Sequence, residues 1–193
     1  MVEPSLVEKV VQLEGALRRA RLAHAFGGAL AFAYYGEPRS TVDIDLNLFV
    51  GTARYEMVME ILEPLGVGRA RSTAALIRDG QARLWWGRTP VDVFFSYDPL
   101  HDAMRQGVRT VPFADTTIAI LGPEHLLTTK VVFDRAKDWI DIEQMLVAVP
   151  ALDLGEVHRW LERLLGLDDR RVRHLDDLEV ALLGRGEESG SRV

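Results

Sequence analysis

The chain predicts an α/β (α+β) fold, a mixed sheet core followed by a helical C-terminal region. Three observations lead there. Val42, Ile44, Leu46 and Leu48 alternate with Asp43, Asp45 and Asn47, the period of a strand that buries one face. Three further strands are expected, at 74–78, 82–86 and 91–95, the last a β-branched and aromatic run. Asp79-Gly80 between the first two is a hairpin signal, so part of the sheet is antiparallel. Beyond Pro123 the apolar spacing turns helical.

Each element has its own signal. Ser5-Leu-Val-Glu8 is a capping box that opens a helix to about Arg21. Residues 23–26 form a short strand that ends at Gly27-Gly28, and 29–35 form a helix. Gly36-Glu-Pro-Arg39 is a turn, and 41–50 is the acid-bearing strand. A helix at 54–63 is ended by Pro64 and Gly66. Strands are expected at 74–78, 82–86 and 91–95, a helix at 99–106 and a strand at 116–120. Pro123 suits the first position of a helix that runs through Val132 and beyond. Pro150 marks a break, and 154–165 and 169–183 read as amphipathic helices. The expected organisation is a core at 1–121, a helical region at 122–183 and a disordered Gly/Ser/charge-rich tail at 184–193.

Composition narrows the function classes. The 193 residues are 48% hydrophobic without a run of ~18 apolar residues, which argues against a membrane-spanning helix. Met1 to Ala20 is charged and lacks the apolar segment of a signal peptide, so cytoplasmic residence is expected. With no cysteine there is neither a disulfide framework nor thiolate chemistry. The net charge of −6 argues against a globally basic nucleic-acid binder, but a local patch of a few Arg or Lys suffices for phosphate contacts.

The chemistry concentrates in the acids. Residues i and i+2 of a strand point the same way, so Thr41, Asp43 and Asp45 project from one face, with the two carboxylates within roughly 7 Å. Carboxylates that close repel unless a cation lies between them. Hard oxygen ligands suit Mg²⁺, which also takes oxygens from substrate phosphates. Asp92, a lone acid in Pro90-Val-Asp-Val-Phe-Phe95, is costly to bury unless paired or metal-bound. A neighbouring strand could carry it toward the same metals. A solvated strand edge would also accommodate an Asp-x-Asp pair.

Twenty Arg stand against three Lys, and two of those lysines, Lys130 and Lys137, fall on one expected helix. Lys130, Asp134, Lys137, Asp138 and Asp141 follow helical spacing and form a charged stripe. Such a stripe is either a solvent-facing row of ion pairs or one wall of a site. Trp85-Trp86 and Tyr34-Tyr35 could stack bases, although paired aromatics are more often core.

Gly27-Gly28, a fourteen-residue spacer, Asp43-Ile44-Asp45 and the distal Asp92 resemble the signature of the polymerase-β-type nucleotidyltransferase superfamily. The string from Phe26 to Leu46, with Lys130 and Arg135-Ala-Lys-Asp138…Asp141, more narrowly resembles the AbiEii/MenT-type nucleotidyltransferase toxins. Matching segments run from about Phe26 to Asp141. The resemblance implies a nucleotidyltransferase-fold core followed by a helical region, with an active-site cleft between them. It implies a Mg²⁺-dependent enzyme that transfers NMP from an NTP to an acceptor hydroxyl, with pyrophosphate leaving.

The same resemblance implies residue roles. Asp43, Asp45 and Asp92 would hold one or two Mg²⁺. Gly27, Gly28, Arg39, Thr41, Lys130 and Lys137 would bind the nucleotide, with Lys130 on the phosphates. Either Asp138 or Asp141 would take the distal catalytic acid role. Relatives that are silenced by phosphorylation ahead of the acid pair draw attention to Ser40 and Thr41. The implied acceptor is the tRNA 3′ end, and the implied partner is a cognate antitoxin from a neighbouring gene. A protein hydroxyl, a small-molecule hydroxyl as in aminoglycoside nucleotidyltransferases, and a non-catalytic binding module or antitoxin of the same fold remain open alternatives.

Overall fold

The computed structural model describes residues 3–184, so the expected disordered tail, apart from Gly184, lies outside the described residues. The fold is α/β with a six-stranded mixed sheet. The chain divides into two compact units. The first comprises the chain up to Ala31 together with Arg39–Gly122, and the second Phe32–Pro38 and the chain from Pro123 on.

In the first unit, α1 (Leu6–Arg19) opens on the expected capping box. Ser5 N–H and Oγ–H donate to Glu8 Oε2 at 2.7 and 2.8 Å, and Glu8 N–H donates back to Ser5 Oγ at 3.3 Å. The sheet contains β1 (His24–Phe26), β2 (Ile44–Leu48), β3 (Gln81–Trp86), β4 (Thr89–Phe95), β5 (Arg109–Phe113) and β6 (Thr116–Ile120). Their order is β3-β4-β2-β1-β6-β5. β2 runs parallel to β4 and β1 parallel to β6, whereas β1/β2, β3/β4 and β5/β6 are antiparallel. Phe26, Ile44, Leu46, Leu48, Val91, Val93, Phe95 and Ile118 are buried. Each contributes about 1.5–3 kcal/mol by leaving water. α1 packs on α3 (Tyr55–Leu62) and on β6.

Two expectations are corrected here. Residues 74–78 are not a strand but part of α4 (Thr73–Asp79). Ser72 accepts the Ala75 N–H at its start, and Gly80 closes it at φ +67. The cap and the Ala74-Ala75 pair favour helix, and Gly80 is its left-handed C-terminus rather than a hairpin turn. The hairpin turn lies instead at Gly87-Arg88, between the paired residues Trp86 and Thr89. β5 had no sequence signal, because Pro112 sits in an edge strand where a missing N–H costs no ladder bond. α5 (Pro99–Gln106) and β6 fall where expected, and the strand expected at 41–50 is the shorter β2.

The second unit contains α6 (Pro123–Phe133), α7 (Ala136–Ala148), α8 (Leu154–Leu165) and α9 (Arg170–Leu183). α6 packs against each of the other three. Leu127, Val131, Ile142, Met145, Val157, Leu161 and Leu175 are buried. α2 (Gly28–Phe32) is shorter than the helix expected at 29–35, and its last residue, Phe32, belongs to this unit. The turn that follows is fastened by the Glu37 N–H, which donates to Gln144 Oε1 at 2.9 Å. No helix among the described residues is long and apolar enough to cross a membrane.

The long helix expected from Pro123 is in fact two. Asp134 adopts φ +56, a conformation that ends a right-handed helix. Its carboxylate accepts Trp139 Nε1–H at 2.8 Å and pairs with Arg170, which fixes the break. The charged stripe is therefore not one helix face. Asp138 and Asp141 are buried rather than solvated.

Candidate active site

The register of β2 on β4 decides the geometry of the acids. Asp45 is paired with Asp92 across the two parallel strands, so both side chains leave the same face of the sheet from neighbouring strands. Such strands lie about 4.8 Å apart. The opposite face carries Ile44, Leu46, Val91 and Val93, all 1% exposed or less. Within β2 the apolar residues are core and Asp45 is presented on the other face; the alternation fails at its ends, since Val42 lies ahead of the strand and is 77% exposed while Asn47 is buried. Asp43 lies just ahead of β2. Thr41 Oγ donates to its Oδ1 at 2.5 Å, which holds the hydroxyl at the Asp43 carboxylate although both residues lie outside the strand.

The glycine pair and the acids are one device. Gly27 N–H donates to the Asp45 carbonyl at 2.9 Å. Gly28 sits at φ +53, and a β-carbon there would lie 1.7 Å from Asp45 Oδ2. A β-carbon on Gly27 would come 2.9 Å from Asn47 Nδ2. Glycine at both positions lets side chains of β2 press onto the chain as it leaves β1. That explains why the two motifs occur together despite the fourteen residues between them.

The third acid has a partner that sequence reading missed. Arg83 on β3 is paired in register with Asp92. Its Nε–H and a terminal N–H each donate to one Asp92 oxygen at 2.7 Å, a bidentate contact. The Asp92 hydrogen bonds and charge, and after them the charges of Asp43 and Asp45, raise the Arg83 guanidinium further above its ordinary value. The signal was available. Counting outward from a two-residue turn at Gly87-Arg88 places Arg83 opposite Asp92, whereas a turn at Asp79-Gly80 does not.

These donors suit a hard divalent cation in kind, being two carboxylates from one chain segment and a third in register on the next strand. Gly28, where any β-carbon would collide with Asp45 Oδ2, leaves the space that carboxylate needs. Among the described residues, however, no three carboxylate or imidazole groups converge as a metal requires. Asp92 is turned onto Arg83 instead. Arg39 is half-buried in the same unit.

In the second unit, Lys130 projects from α6 with 3% exposure. Its ammonium donates to Asp141 Oδ2 at 2.5 Å, lies 3.6 Å from Asp138 Oδ1 and stands 5.2 Å over the Phe32 ring. Arg135 Nε–H donates to the other Asp138 oxygen, also at 2.5 Å. Two cations and two anions thus form one network between α6 and α7. Lys137 is exposed on α7 and takes no part in it. Of the aromatic pairs, Trp86 is buried beneath Lys9 while Trp85 is 43% exposed.

No protein-family model matches the sequence, and a search of curated proteins finds no match. Solved structures do match. The antibiotic-resistance factor ANT(2″)-Ia aligns with a TM-score of 0.58 at 16% identity, over 95% of this chain and 97% of its own. An antigenic nucleotidyltransferase-like protein from Paracoccidioides brasiliensis aligns with a TM-score of 0.56 at 21% identity, over 92% of each chain. The lincosamide antibiotic adenylyltransferase LnuA, in a lincomycin-bound structure, aligns with a TM-score of 0.52 at 13% identity, over 72% of this chain and 94% of its own. The chain has the fold of these nucleotidyltransferases.

Proposed function

We propose that the chain is a metal-dependent nucleotidyltransferase that moves NMP from an NTP to a hydroxyl acceptor and releases pyrophosphate. One observation carries this reading. Asp45 and Asp92 share a face in register across β2 and β4, with Asp43 just ahead and the Gly27-Gly28 turn pressed against Asp45.

Asp43, Asp45 and Asp92 would hold one or two Mg²⁺, which when bound polarise the α-phosphate and stabilise charge on the attacking and leaving oxygens. The chain's own residues preorganise those ligands. Thr41 aims the Asp43 carboxylate through its hydrogen bond. The β2–β4 ladder sets the spacing of Asp45 and Asp92. Gly28 leaves the space that Asp45 fills. The parts assigned to Gly27, Gly28, Arg39, Thr41, Lys130 and Lys137 on the nucleotide, and to Asp138 or Asp141 as distal acid, rest on the sequence resemblance.

For the acceptor, the motif string from Phe26 to Asp141 supports the tRNA 3′ end and a toxin that blocks translation, held in check by an antitoxin encoded alongside. The fold likeness to ANT(2″)-Ia and LnuA, one of them solved with adenylyl-2″-tobramycin, supports a second reading, transfer to a small-molecule hydroxyl. The test is incubation with each α-labelled NTP and Mg²⁺, in parallel with total RNA, with total protein and with a panel of polyhydroxylated antibiotics. Label on RNA supports the first reading, and label on an antibiotic alone supports the second. Label on none of these would reject nucleotidyl transfer to such acceptors.

A further inference from the structure

Arg83 is an odd neighbour for a metal ligand. It holds both oxygens of Asp92 at 2.7 Å, yet its own side chain is 54% exposed while that of Asp92 is only 18% exposed. Asp92 is thus the fixed member of the pair, and Arg83 the one with room to leave. A cation shared with Asp45 would need Asp92 oxygens that Arg83 now occupies. The two cations compete for one carboxylate.

The place to which Arg83 can turn is also present. Arg71, Ser72, Gln81, Arg83 and Trp85 line one open cavity of about 320 Å³ on the β3 edge of the sheet. Gln81, Arg83 and Trp85 alternate outward along β3, and Trp85 shows 43% of its surface. Arg83 belongs to this cavity and to the acid row at once.

We propose that Arg83 is a displaceable plug of Asp92, which a divalent cation replaces, freeing the guanidinium to form with Arg71 and Trp85 an anion-binding subsite for a phosphate-bearing acceptor. This rests on the metal-dependent reading above and deepens it. Until metal arrives, Arg83 neutralises the third acid and its charge is spent there. Once metal arrives, two guanidinium groups line the cavity, with an indole beside them on which a base can stack. An acceptor phosphate finds its full site only after the metal is in place, so the order of binding is built into one ion pair. The chemistry selects a polynucleotide end over a neutral hydroxyl compound.

The experiment follows Mn²⁺ binding by electron paramagnetic resonance without nucleotide, in wild type, Arg83→Gln and Asp45→Asn. Removing a competing cation should tighten Mn²⁺ about tenfold in Arg83→Gln, while Asp45→Asn should weaken it. A second arm follows a fluorescent 5′-phosphorylated RNA trinucleotide by anisotropy. Wild type should bind it only with Mn²⁺, Asp92→Asn equally with and without Mn²⁺, and Arg83→Gln weakly in both. Circular dichroism melts confirm that each variant is folded. Unchanged Mn²⁺ affinity in Arg83→Gln, with Asp45→Asn weakened, would overturn the plug and leave the metal site standing. Absence of Mn²⁺ binding in folded wild type and Arg83→Gln would overturn the metal site itself. Trinucleotide binding to wild type that ignores Mn²⁺ would overturn the subsite.

Discussion

Asp45 Oδ2 lies 1.7 Å from where a β-carbon on Gly28 would be, so the carboxylate occupies the space of a missing side chain. Gly28→Ala must therefore displace Asp45 and also hold φ +53. It should cost about 2 kcal/mol or more, read by chemical denaturation. In an Asp45→Ala background the same substitution should cost less, since only the backbone term and the milder contact with Asp45 Cβ remain. Equal costs in the two backgrounds would show no coupling.

Asp43→Ala and Asp45→Ala should abolish transfer while each variant still melts cooperatively in metal-free buffer. Removing one acid relieves repulsion with the other but also removes an anion that favours the charged Arg83, so the net change in melting temperature should be small. Paired activity assays and melts check this. Full activity in either variant, with Mg²⁺ present, would remove these residues from the site.

Lys130→Met should leave Asp138 and Asp141 buried without their amine partner and cost about 3–5 kcal/mol. The double variant Lys130→Met/Asp141→Asn should recover part of that loss. Lys137→Ala, an exposed position, should stay within about 0.5 kcal/mol of wild type. If Lys130 also serves the nucleotide, the double variant should remain at least about 10²-fold down in transfer once its fold is recovered. Denaturation curves and initial rates separate the two effects.

Two histidines in the helical unit should give opposite pH dependences. Burial pushes the His125 pKa below its ordinary value; Nε2 lies 3.3 Å from Glu156, but neither ring nitrogen makes a directed hydrogen bond. The unfolded chain then takes up the proton first, so His125 costs stability as pH falls below about 6.5. The hydrogen bond to Glu179 at 2.7 Å raises the His158 pKa. Its contribution is present in full below about 6.5 and fades as pH rises through the folded value. His125→Leu should flatten the acid-side loss of stability, and His158→Gln should steepen it. Melts between about pH 5 and pH 8 measure both.

The acid strand was legible because its alternation holds from Asp43 to Leu46, although Val42 is exposed and Asn47 buried against that pattern. Ile44, Leu46 and Leu48 had to be core, and Asp43 and Asp45 had to face the other way. A lone acid in an apolar run points to a neighbouring strand that carries Asp92, and β4 does pair with β2 so that Asp92 lies in register with Asp45, although its carboxylate is held by Arg83. Arg83 was missed because the hairpin was centred on Gly80, a glycine that closes a short helix instead. The charged stripe misled for a different reason. Helical spacing does not register a single left-handed residue, and Asp134 breaks the helix at φ +56, held there by Trp139 and Arg170. Lys130 and Asp141 still meet, from two helices rather than one.

Nucleotidyl transfer differs from phosphoryl transfer in which phosphate stays with the acceptor. NTP labelled in turn at the α- and γ-phosphate, incubated with Mg²⁺ and total RNA, distinguishes them directly. Wild type should place the α label on the acceptor and release the γ label in pyrophosphate, and the Asp43→Asn/Asp45→Asn variant should do neither. Transfer of the γ label to the acceptor, or α-label transfer that survives loss of both acids, would contradict a nucleotidyltransferase built on Asp43, Asp45 and Asp92.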